Sequence, residues 1–566
     1  MMILKKIRDF FKEIRSSGIN LKHILIIIIF VGIILRIPLV FNSNTGWDAP
    51  HYIAMARGLT EHGEFVMEWG DFGSDNVSST HSHVFPPLFP IYLSGFYVIF
   101  GYSFFITKVA SVILSILFLV VAYFTTKSLY DKSKALIVTA FFSVNYTLIF
   151  STKTVYSENI VMLFFMLTLW ALIKGIDDDK YMVWAGLFAG LGFLTKASAG
   201  PFFIIPAALI FSWRFYYLRW EVFKRKNYIL AVLILLVIVI LWSLRNVLLF
   251  GFPNFGTSYH IQQAINTAFS HPPQYFINII LSLFTLLVIL LSIALFFGME
   301  LKASLKKIKE EHCSGLWIAI LIIILTGIFI LGALPFIEKP TVFATNRIRF
   351  AIVALIPLSW LFVKDSDFQI NRELKWVKFM EIFQWIKNTV SNVRLLIIIL
   401  LSLIIAVLAL LSINSTPIFI LLVIGALFLG VKSPKKRLLL LLILLLILSV
   451  DTVTAISYTG PEEIGKDLKN HIGENAIVAI HTDNKYATYP YIENINFNVI
   501  KYQNGSNADW IISNKQISDE NYTLFKEYKN HNSLGIIFLL KHLITSGESL
   551  QTYYDRDPEY FLYKHI

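Results

Sequence analysis

The chain has one cysteine, Cys313, among 566 residues, which excludes an intramolecular disulfide framework. No small-residue cleavage site follows the first apolar run, Ile24 to Phe41, and Arg36 lies inside it, so we predict that this run is not a cleaved signal peptide. No clear internal repeat is present, which disfavours the transporter folds that are built from repeats. The chain must therefore be held together by packing alone.

Hydrophobic residues make up 56% of the chain, and its mean hydropathy is +0.65. Both values exceed what a soluble core requires. Runs such as 24–41, 228–249, 395–411 and 438–456 are long enough, at ~1.5 Å per residue, to cross ~30 Å of hydrocarbon. We therefore predict a polytopic α-helical membrane protein with about 13 transmembrane helices.

Lys and Arg are distributed unevenly between the loops. The predicted spans are 23–41, 103–126, 135–150, 159–173, 182–195, 200–213, 228–249, 275–297, 315–334, 350–363, 395–412, 416–431 and 438–456. One set of the loops up to residue 437 holds thirty Lys and Arg, and the opposite set holds six. The basic set should face the cytoplasm. This places the N-terminus in the cytoplasm and the C-terminus outside a plasma membrane, and it explains the net charge of +12 without nucleic-acid binding.

The predicted spans divide the chain into a transmembrane domain, 1–457, and an extracytoplasmic domain, 458–566. The first external loop, 42–102, is long, and its apolar stretch Leu88–Phe100 is too short to span, so we expect a helix at the outer surface.

The outer domain contains apolar runs at 476–480, 510–512 and 534–540, preceded by a helical pattern that ends near Gly473. This order predicts a small α/β domain. It contains no nucleotide-binding glycine pattern, so a lid or an acceptor-docking module is the plain interpretation.

This topology gathers polar residues from separate loops at the outer face. They are Asp48, His51, Tyr52, His81, His83, Tyr156, Ser157, Glu158, Lys196, Arg245, Arg347 and Arg349. Two acids opposed to several permanent cations suit a reaction that needs a base and has an anionic leaving group. Charges at helix ends also snorkel to the membrane interface without any chemistry, so both interpretations stay open.

Several short motifs occur in order along residues 20–363. They are Asp48 with Tyr52 and Ala56; His83–Leu88 with Phe100-Gly101; Ser157-Glu158; Gly190–Lys196; Leu241–Asn246 with Phe250-Gly251; and Arg349-Phe350 before Pro357. In order and spacing the chain resembles the GT-C glycosyltransferases that use polyprenyl-phosphate sugars. The branch it resembles contains the protein mannosyltransferases and the lipid A aminoarabinose transferases.

The resemblance implies roles for these residues. Asp48 would be the catalytic carboxylate and Glu158 a second catalytic acid. Lys196 and Arg245 would hold the donor phosphate, with Arg347 or Arg349 as a further clamp. The substrate contacts would come from His51, Tyr52, His83 and Tyr156. The implied partners are a dolichyl- or undecaprenyl-phosphate sugar donor, a protein, lipid or glycan acceptor, and the membrane lipids.

Structural explanations compete with these roles. Asp48 could cap a helix, Glu158 could favour a helix macrodipole, and Lys196 and Arg245 could snorkel. The chain also departs from the family pattern, since Ala49 replaces a second acid and Phe85 replaces a basic residue.

Cofactor use stays open in the sequence. The histidines His51 and His83, with Asp48 or Glu158, could bind a divalent cation, but no short metal-ligand spacing requires it. The Trp-Trp-Asp-Tyr-Gly motif expected of an oligosaccharyltransferase that acts on asparagine is absent.

We expect glycosyl transfer at the outer face, by inversion in preference to retention. The alternative is a transporter or flippase of lipid-linked sugars, which would place charges through the membrane and break helices near its middle. Because the ionisable groups gather at one face, the sequence favours the enzyme. A non-catalytic scaffold would leave this polar cluster unexplained.

Overall fold

The structure is a computed structural model in which only part of the chain is described. The described residues are 21–41, 48–67, 80–81, 85–196, 203, 221, 224–250, 356, 359–360, 446, 464, 467–468, 470–471, 476–481, 497–501, 508–513, 517–518, 520–528 and 560–565. The predicted span 200–213 and the predicted spans from residue 275 onward lie wholly or mostly outside them.

The described part between residues 21 and 250 is helical apart from one small strand pair. The helices are α1 Leu21–Arg36, continued by a 3-10 turn Ile37–Phe41; α2 Ala49–Glu61; α3 Leu88–Phe100; α4 Phe104–Leu129; α5 Lys132–Ser143; α6 Tyr146–Lys153; α7 Glu158–Asp177; α8 Lys180–Phe193; and α9 Lys226–Phe250. Between α2 and α3, the strands β1 Val66–Met67 and β2 Thr80–His81 pair antiparallel.

Four of these segments are long and apolar enough to cross a membrane: Leu21–Phe41, Phe104–Leu129, Glu158–Asp177 and Lys226–Leu249. They coincide with the predicted spans 23–41, 103–126, 159–173 and 228–249. The chain therefore has the apolar helices of a membrane protein, and the total of about 13 spans stays a prediction.

The apolar stretch after the double proline forms α3, a helix of 13 residues. Pro87 is its N-cap, and Gly101, with a φ of +77°, ends it. A left-handed residue at this position favours glycine because glycine has no Cβ. The predicted helix is confirmed, and at 13 residues it is shorter than a span requires.

The predicted span 135–150 differs from the structure, because it is broken into α5 and α6 with a bend of 47°. The break leaves carbonyl groups at the end of α5 that lipid cannot hydrogen-bond. Arg36 lies fully buried beside it and donates to the carbonyls of Ser143 (2.8 Å) and Phe142 (3.3 Å) and to Ser115 Oγ (2.7 Å). We call the packed helices α1–α9 the helix layer. Within it, the buried side chain of Arg36 supplies hydrogen-bond donors to the C-terminal end of α5.

Helices α7 and α8 run antiparallel across a short turn, whereas α8 and α9 run parallel. Near the starts of α8 and α9, Arg225 Nη1 lies 2.5 Å from Asp179 Oδ2. Further along both helices, a Cβ added at Gly190 would lie 2.5 Å from Ile238 Cδ1. As a result, the start of α7, the end of α8 and the end of α9 lie at the same end of the helix layer.

The described residues after 475 form one five-stranded mixed sheet. Its strands are β3 Ala476–His481, β4 Phe497–Lys501, β5 Trp510–Ser513, β6 Tyr522–Tyr528 and β7 Tyr560–His565, in the order β4-β3-β5-β7-β6. β3 is parallel to β4 and β5, and β7 is antiparallel to β5 and β6.

The apolar runs predicted at 476–480 and 510–512 are strands, and the helical residues Ile464 and Leu468 pack in one buried cluster with Val478 and Trp510. The run predicted at 534–540 lies outside the described residues. The division of the chain at residue 457 stays a prediction.

The close approach of α8 and α9 predicts the effect of one added methyl group. In Gly186→Ala, the new Cβ would lie 2.7 Å from the Cα of Ala231, and overpacking of this kind costs about 1–3 kcal/mol. We expect a lower melting temperature for the purified variant in detergent.

The matched control is Gly95→Ala in α3, where an added Cβ meets no atom within 4 Å and helix propensity alone should raise stability by at most about 1 kcal/mol. Equal melting temperatures for the two variants would contradict the close packing of α8 on α9.

Candidate functional site

Asp48 lies directly before α2, at the N-cap position of the helix. Pro50 occupies the first turn, where its missing N–H is tolerated. The side chain of Asp48 makes no capping hydrogen bond to α2, and it is partly exposed. Helix capping therefore does not account for an acid at this position.

The first turn of α2 packs on the loop that precedes α3. The ring of His51 stacks on Phe85 at a centroid distance of 4.8 Å. The buried Tyr52 meets Phe85 edge-on at 5.1 Å and Phe89 edge-on at 5.0 Å. Phe85, which replaces the basic residue of the family pattern, thus supplies the aromatic surface on which the predicted substrate contacts His51 and Tyr52 rest.

A hydrogen bond between side chains joins α2 to the start of α7. The hydroxyl oxygens of Tyr52 and Ser157 lie 2.9 Å apart, and both residues are buried. Tyr52 is four residues after Asp48, and Ser157 immediately precedes Glu158. The sequence-predicted residues of the first and second external loops are therefore brought together.

The strongest polar contact in this region joins Glu158 to Lys196. Glu158 Oε1 lies 2.6 Å from Lys196 Nζ, and the two side chains are 2% and 12% exposed. Glu158 opens α7, and Lys196 follows the end of α8. Since the pair is nearly enclosed, neither group snorkels to an interface, and each charge lies beside an opposite charge.

The backbone before Ser157 turns sharply. Val155 has a φ of +56°, which is rare for a β-branched residue and costs on the order of 1–3 kcal/mol. Its N–H donates to the carbonyl of Thr152 (3.4 Å), and the N–H of Tyr156 donates to the carbonyl of Ser151 (3.0 Å). These bonds form a Schellman ending of α6 in which valine occupies the position that glycine usually takes. The strained turn lies three residues before Glu158.

Two residues of α4 support the end of α6. Lys108, which is fully buried, donates from Nζ to the carbonyl of Lys153, and Ser111 Oγ donates to the carbonyl of Thr152 (3.2 Å). The sequence analysis did not select Lys108. The available signal was an ionisable residue within an apolar span.

Arg245 lies near the end of α9 against aromatic rings. Its guanidinium carbon is 4.8 Å from the ring centroid of Trp242 and 5.4 Å from that of Phe65, and Nη1 donates to Asn246 Oδ1 (2.8 Å). Phe65 belongs to the segment that follows α2. Arg245 therefore lies at the same end of the helix layer as Lys196, in contact with the first external loop.

The other predicted site residues differ in their placement. Tyr156 is buried, with its ring 6.3 Å from that of Phe150. His83, Arg347 and Arg349 lie outside the described residues. Among the residues that the structure does describe, no group of three His, Cys, Asp or Glu side chains could hold a metal ion, so a divalent cation stays a prediction.

Comparisons with known proteins give one family match and several structural likenesses. Residues 84–242 match the family model described as dolichyl-phosphate-mannose-protein mannosyltransferase. The structure is similar to ArnT from Cupriavidus metallidurans bound to undecaprenyl phosphate, with a TM-score of 0.51 at 12% identity over 96% of this chain and 98% of that one. ArnT in the apo state gives a TM-score of 0.53 at 12% identity over 96% and 97%. No curated protein sequence matches the chain.

A weaker likeness, with a TM-score of 0.49 at 14% identity, covers 87% of this chain and 68% of an oligosaccharyltransferase from Archaeoglobus fulgidus. The predicted resemblance to the GT-C glycosyltransferases is confirmed, through the fold of ArnT and the family match over residues 84–242. The matched segment includes Glu158 and Lys196, and it begins after Asp48.

The enclosed ion pair predicts a large loss of stability when one partner is removed. Glu158→Gln removes the carboxylate that lies 2.6 Å from the nearly enclosed ammonium of Lys196, and breaking a buried pair in this way costs about 3–5 kcal/mol. We expect thermal unfolding in detergent at a clearly lower temperature, and partial recovery in the double variant Glu158→Gln/Lys196→Met.

The control is the ion pair of Lys180 and Asp178, in which the side chains are 67% and 44% exposed. Lys180→Gln should change stability by at most about 1 kcal/mol because exposed pairs contribute little. Equal effects of Glu158→Gln and Lys180→Gln would show that the Glu158–Lys196 pair is not enclosed.

Proposed function

We propose that this protein is a membrane glycosyltransferase that moves a sugar from a polyprenyl-phosphate donor to a protein, lipid or glycan acceptor. The reaction takes place at the outer face of the membrane, where the topology predicted from the sequence puts Asp48. The donor carries a dolichyl or undecaprenyl chain, and the transferred group is a hexose or a pentose.

The observation that carries this proposal is the enclosed Glu158–Lys196 ion pair and its connection to Asp48. Ser157, next to Glu158, bonds to Tyr52, one turn of α2 from Asp48. Asp48 and the Glu158–Lys196 pair thus lie on adjoining elements. This arrangement supports a base on one side of a substrate and a phosphate-binding group on the other.

The chemistry assigns one task to each group. The hydroxyl oxygen of the acceptor attacks the anomeric carbon of the sugar, the bond from that carbon to the phosphate oxygen breaks, and the acceptor proton passes to the carboxylate of Asp48. The polyprenyl phosphate leaves as an anion and needs no general acid. A single displacement of this kind inverts the anomeric configuration, and a positioned base contributes a rate factor of ~10² to 10⁴.

Lys196 suits the leaving phosphate because an ammonium group has three N–H donors. One donor is bonded to Glu158, and the same ammonium carries the charge that a phosphate oxygen accepts in a charge-assisted hydrogen bond. In this scheme Glu158 orients the lysine. Arg245, and Arg347 or Arg349, are further candidates for phosphate binding, and His51, Tyr52, His83 and Tyr156 remain candidates for substrate contact.

The competing function is transport of a lipid-linked sugar without chemistry. The broken α5–α6 span and the buried Arg36 and Lys108 are features that such a transporter would share. In this protein, however, both cations donate to backbone carbonyls at helix ends. Their role in closing helices favours the enzyme.

Asp48→Asn keeps the size of the side chain and removes the base. We expect sugar transfer to fall by a factor of ~10² to 10⁴, while binding of polyprenyl phosphate is retained. The purified protein is added to membranes of its host that have been loaded with a radiolabelled polyprenyl-phosphate sugar. The measurement is the amount of label transferred from this donor to protein, lipid or glycan.

The matched control is Asp178→Asn, which removes an exposed acid from the turn between α7 and α8, far along α7 from Glu158. Its transfer rate should equal that of the wild type. Wild-type transfer by Asp48→Asn would refute the assignment of the base, and an intact donor in every sample despite donor binding would favour transport.

Lys196→Gln removes the charge and keeps N–H donors for Glu158. Hydrogen bonds to charged groups are worth about 1.5–3 kcal/mol, so the dissociation constant for polyprenyl phosphate should rise about 10- to 100-fold. Binding of radiolabelled polyprenyl phosphate to the purified protein measures this constant.

The control for this substitution is Lys180→Gln, at the first residue of α8. A dissociation constant that is the same in Lys196→Gln, Lys180→Gln and the wild type would mean that Lys196 does not contact the phosphate.

A further inference from the structure

The end of α6 is built to support a turn that valine disfavours. In most helices that end in this way, glycine takes the left-handed position. Here Val155 takes it, and its side chain is fully buried in the main hydrophobic cluster. The packing of Val155 therefore holds its backbone in a left-handed conformation that valine disfavours. The turn needs hydrogen bonds from outside α6 to persist.

Those bonds come chiefly from α4. Lys108 donates to the carbonyl of Lys153, and Ser111, almost one turn further along α4, donates to the carbonyl of Thr152. Carbonyls at a helix C-terminus carry partial negative charge, so a buried ammonium is favourable there. A third bond, from Asn159 Nδ2 to Thr152 Oγ1 (3.1 Å), ties the first turn of α7 to the same helix end.

The turn determines where the next residues lie. Ser157 and Glu158 lie two and three residues after Val155, and they make the contacts to Tyr52 and Lys196. If the end of α6 unwound to relieve Val155, the backbone of Ser157 and Glu158 would shift with it. The Glu158–Lys196 pair would then lose its geometry, although none of its own atoms had been changed.

We infer that Lys108 is a positioning residue, which holds the end of α6 and the left-handed turn at Val155 and thereby sets the Glu158–Lys196 ion pair in place. It acts through the backbone and does not contact the donor. This inference rests on the proposed function only where it concerns donor binding, because the support of the turn is a property of the fold.

Hydrogen exchange tests the support of the turn without any substrate. Lys108→Met removes the ammonium and keeps an unbranched apolar chain, and Ser111→Ala removes the neighbouring bond. In both variants the amides of residues 151–158 should exchange about tenfold faster than in the wild type, because the turn opens more often.

The control for this experiment is Thr125→Val in α4, which removes a buried hydroxyl that bonds to the carbonyl of Val121, within α4 itself. Its exchange in residues 151–158 should match the wild type. Wild-type exchange in Lys108→Met, or equal acceleration in Thr125→Val, would overturn the inference.

Binding of radiolabelled polyprenyl phosphate tests the consequence for the site. Lys108→Met should raise the dissociation constant about tenfold, and the double variant Lys108→Met/Lys196→Gln should bind no more weakly than Lys196→Gln alone. Independent, additive losses would show that Lys108 acts by another route, and would overturn its role in positioning the ion pair.

The two measurements separate this inference from the proposed function. If Lys196→Gln binds polyprenyl phosphate as the wild type does, the phosphate site is wrong, and hydrogen exchange still decides whether Lys108 supports the turn. If Lys196→Gln weakens binding and Lys108→Met does not, the phosphate site stands and the positioning role is refuted.

Discussion

The helix layer depends on closing the buried C-terminal ends of two short consecutive helices, α5 and α6. Lipid offers no hydrogen bonds, so the carbonyls at the ends of α5 and α6 need donors from the protein. Arg36 supplies them for α5, and Lys108 with Ser111 supplies them for α6. Because α1 and α4 provide these donors, two spanning helices are tied to the segment that leads into Glu158.

These hydrogen bonds help to hold the residues of the candidate site in place. An ion pair that is nearly enclosed is stable only when both partners are well placed, since removal of one leaves a buried charge. Here the backbone turn at Val155 places Glu158, and the end of α8 places Lys196. Asp48 lies on a separate element, α2, joined to the pair through Tyr52 and Ser157. The proposed base and the proposed phosphate-binding residue therefore lie on different elements, which are joined through one hydrogen bond and the ion pair.

Much of the helical layout was predictable from apolar runs, and the break at Val144-Asn145 was not. The spans 23–41 and 228–249 are long and uniformly apolar, so their hydropathy alone identifies them. The segment 135–150 is also apolar, but its break depends on whether Arg36, distant in sequence, reaches the carbonyls of Phe142 and Ser143. The sequence analysis noticed Arg36 and overlooked Lys108. The site residues from different loops were predicted to share one face, but their pairing was not predicted.

The sequence by itself determined the membrane class and the set of candidate residues, and its Lys and Arg suggested the sidedness. It could do so because hydropathy and charge are properties of single positions, which can be summed along the chain. Only the tertiary structure decided that Lys196 pairs with Glu158, that Tyr52 bonds to Ser157, and that α8 runs parallel to α9. Those contacts join residues between 38 and 105 positions apart, and which of many possible partners meet is decided by how the helices pack.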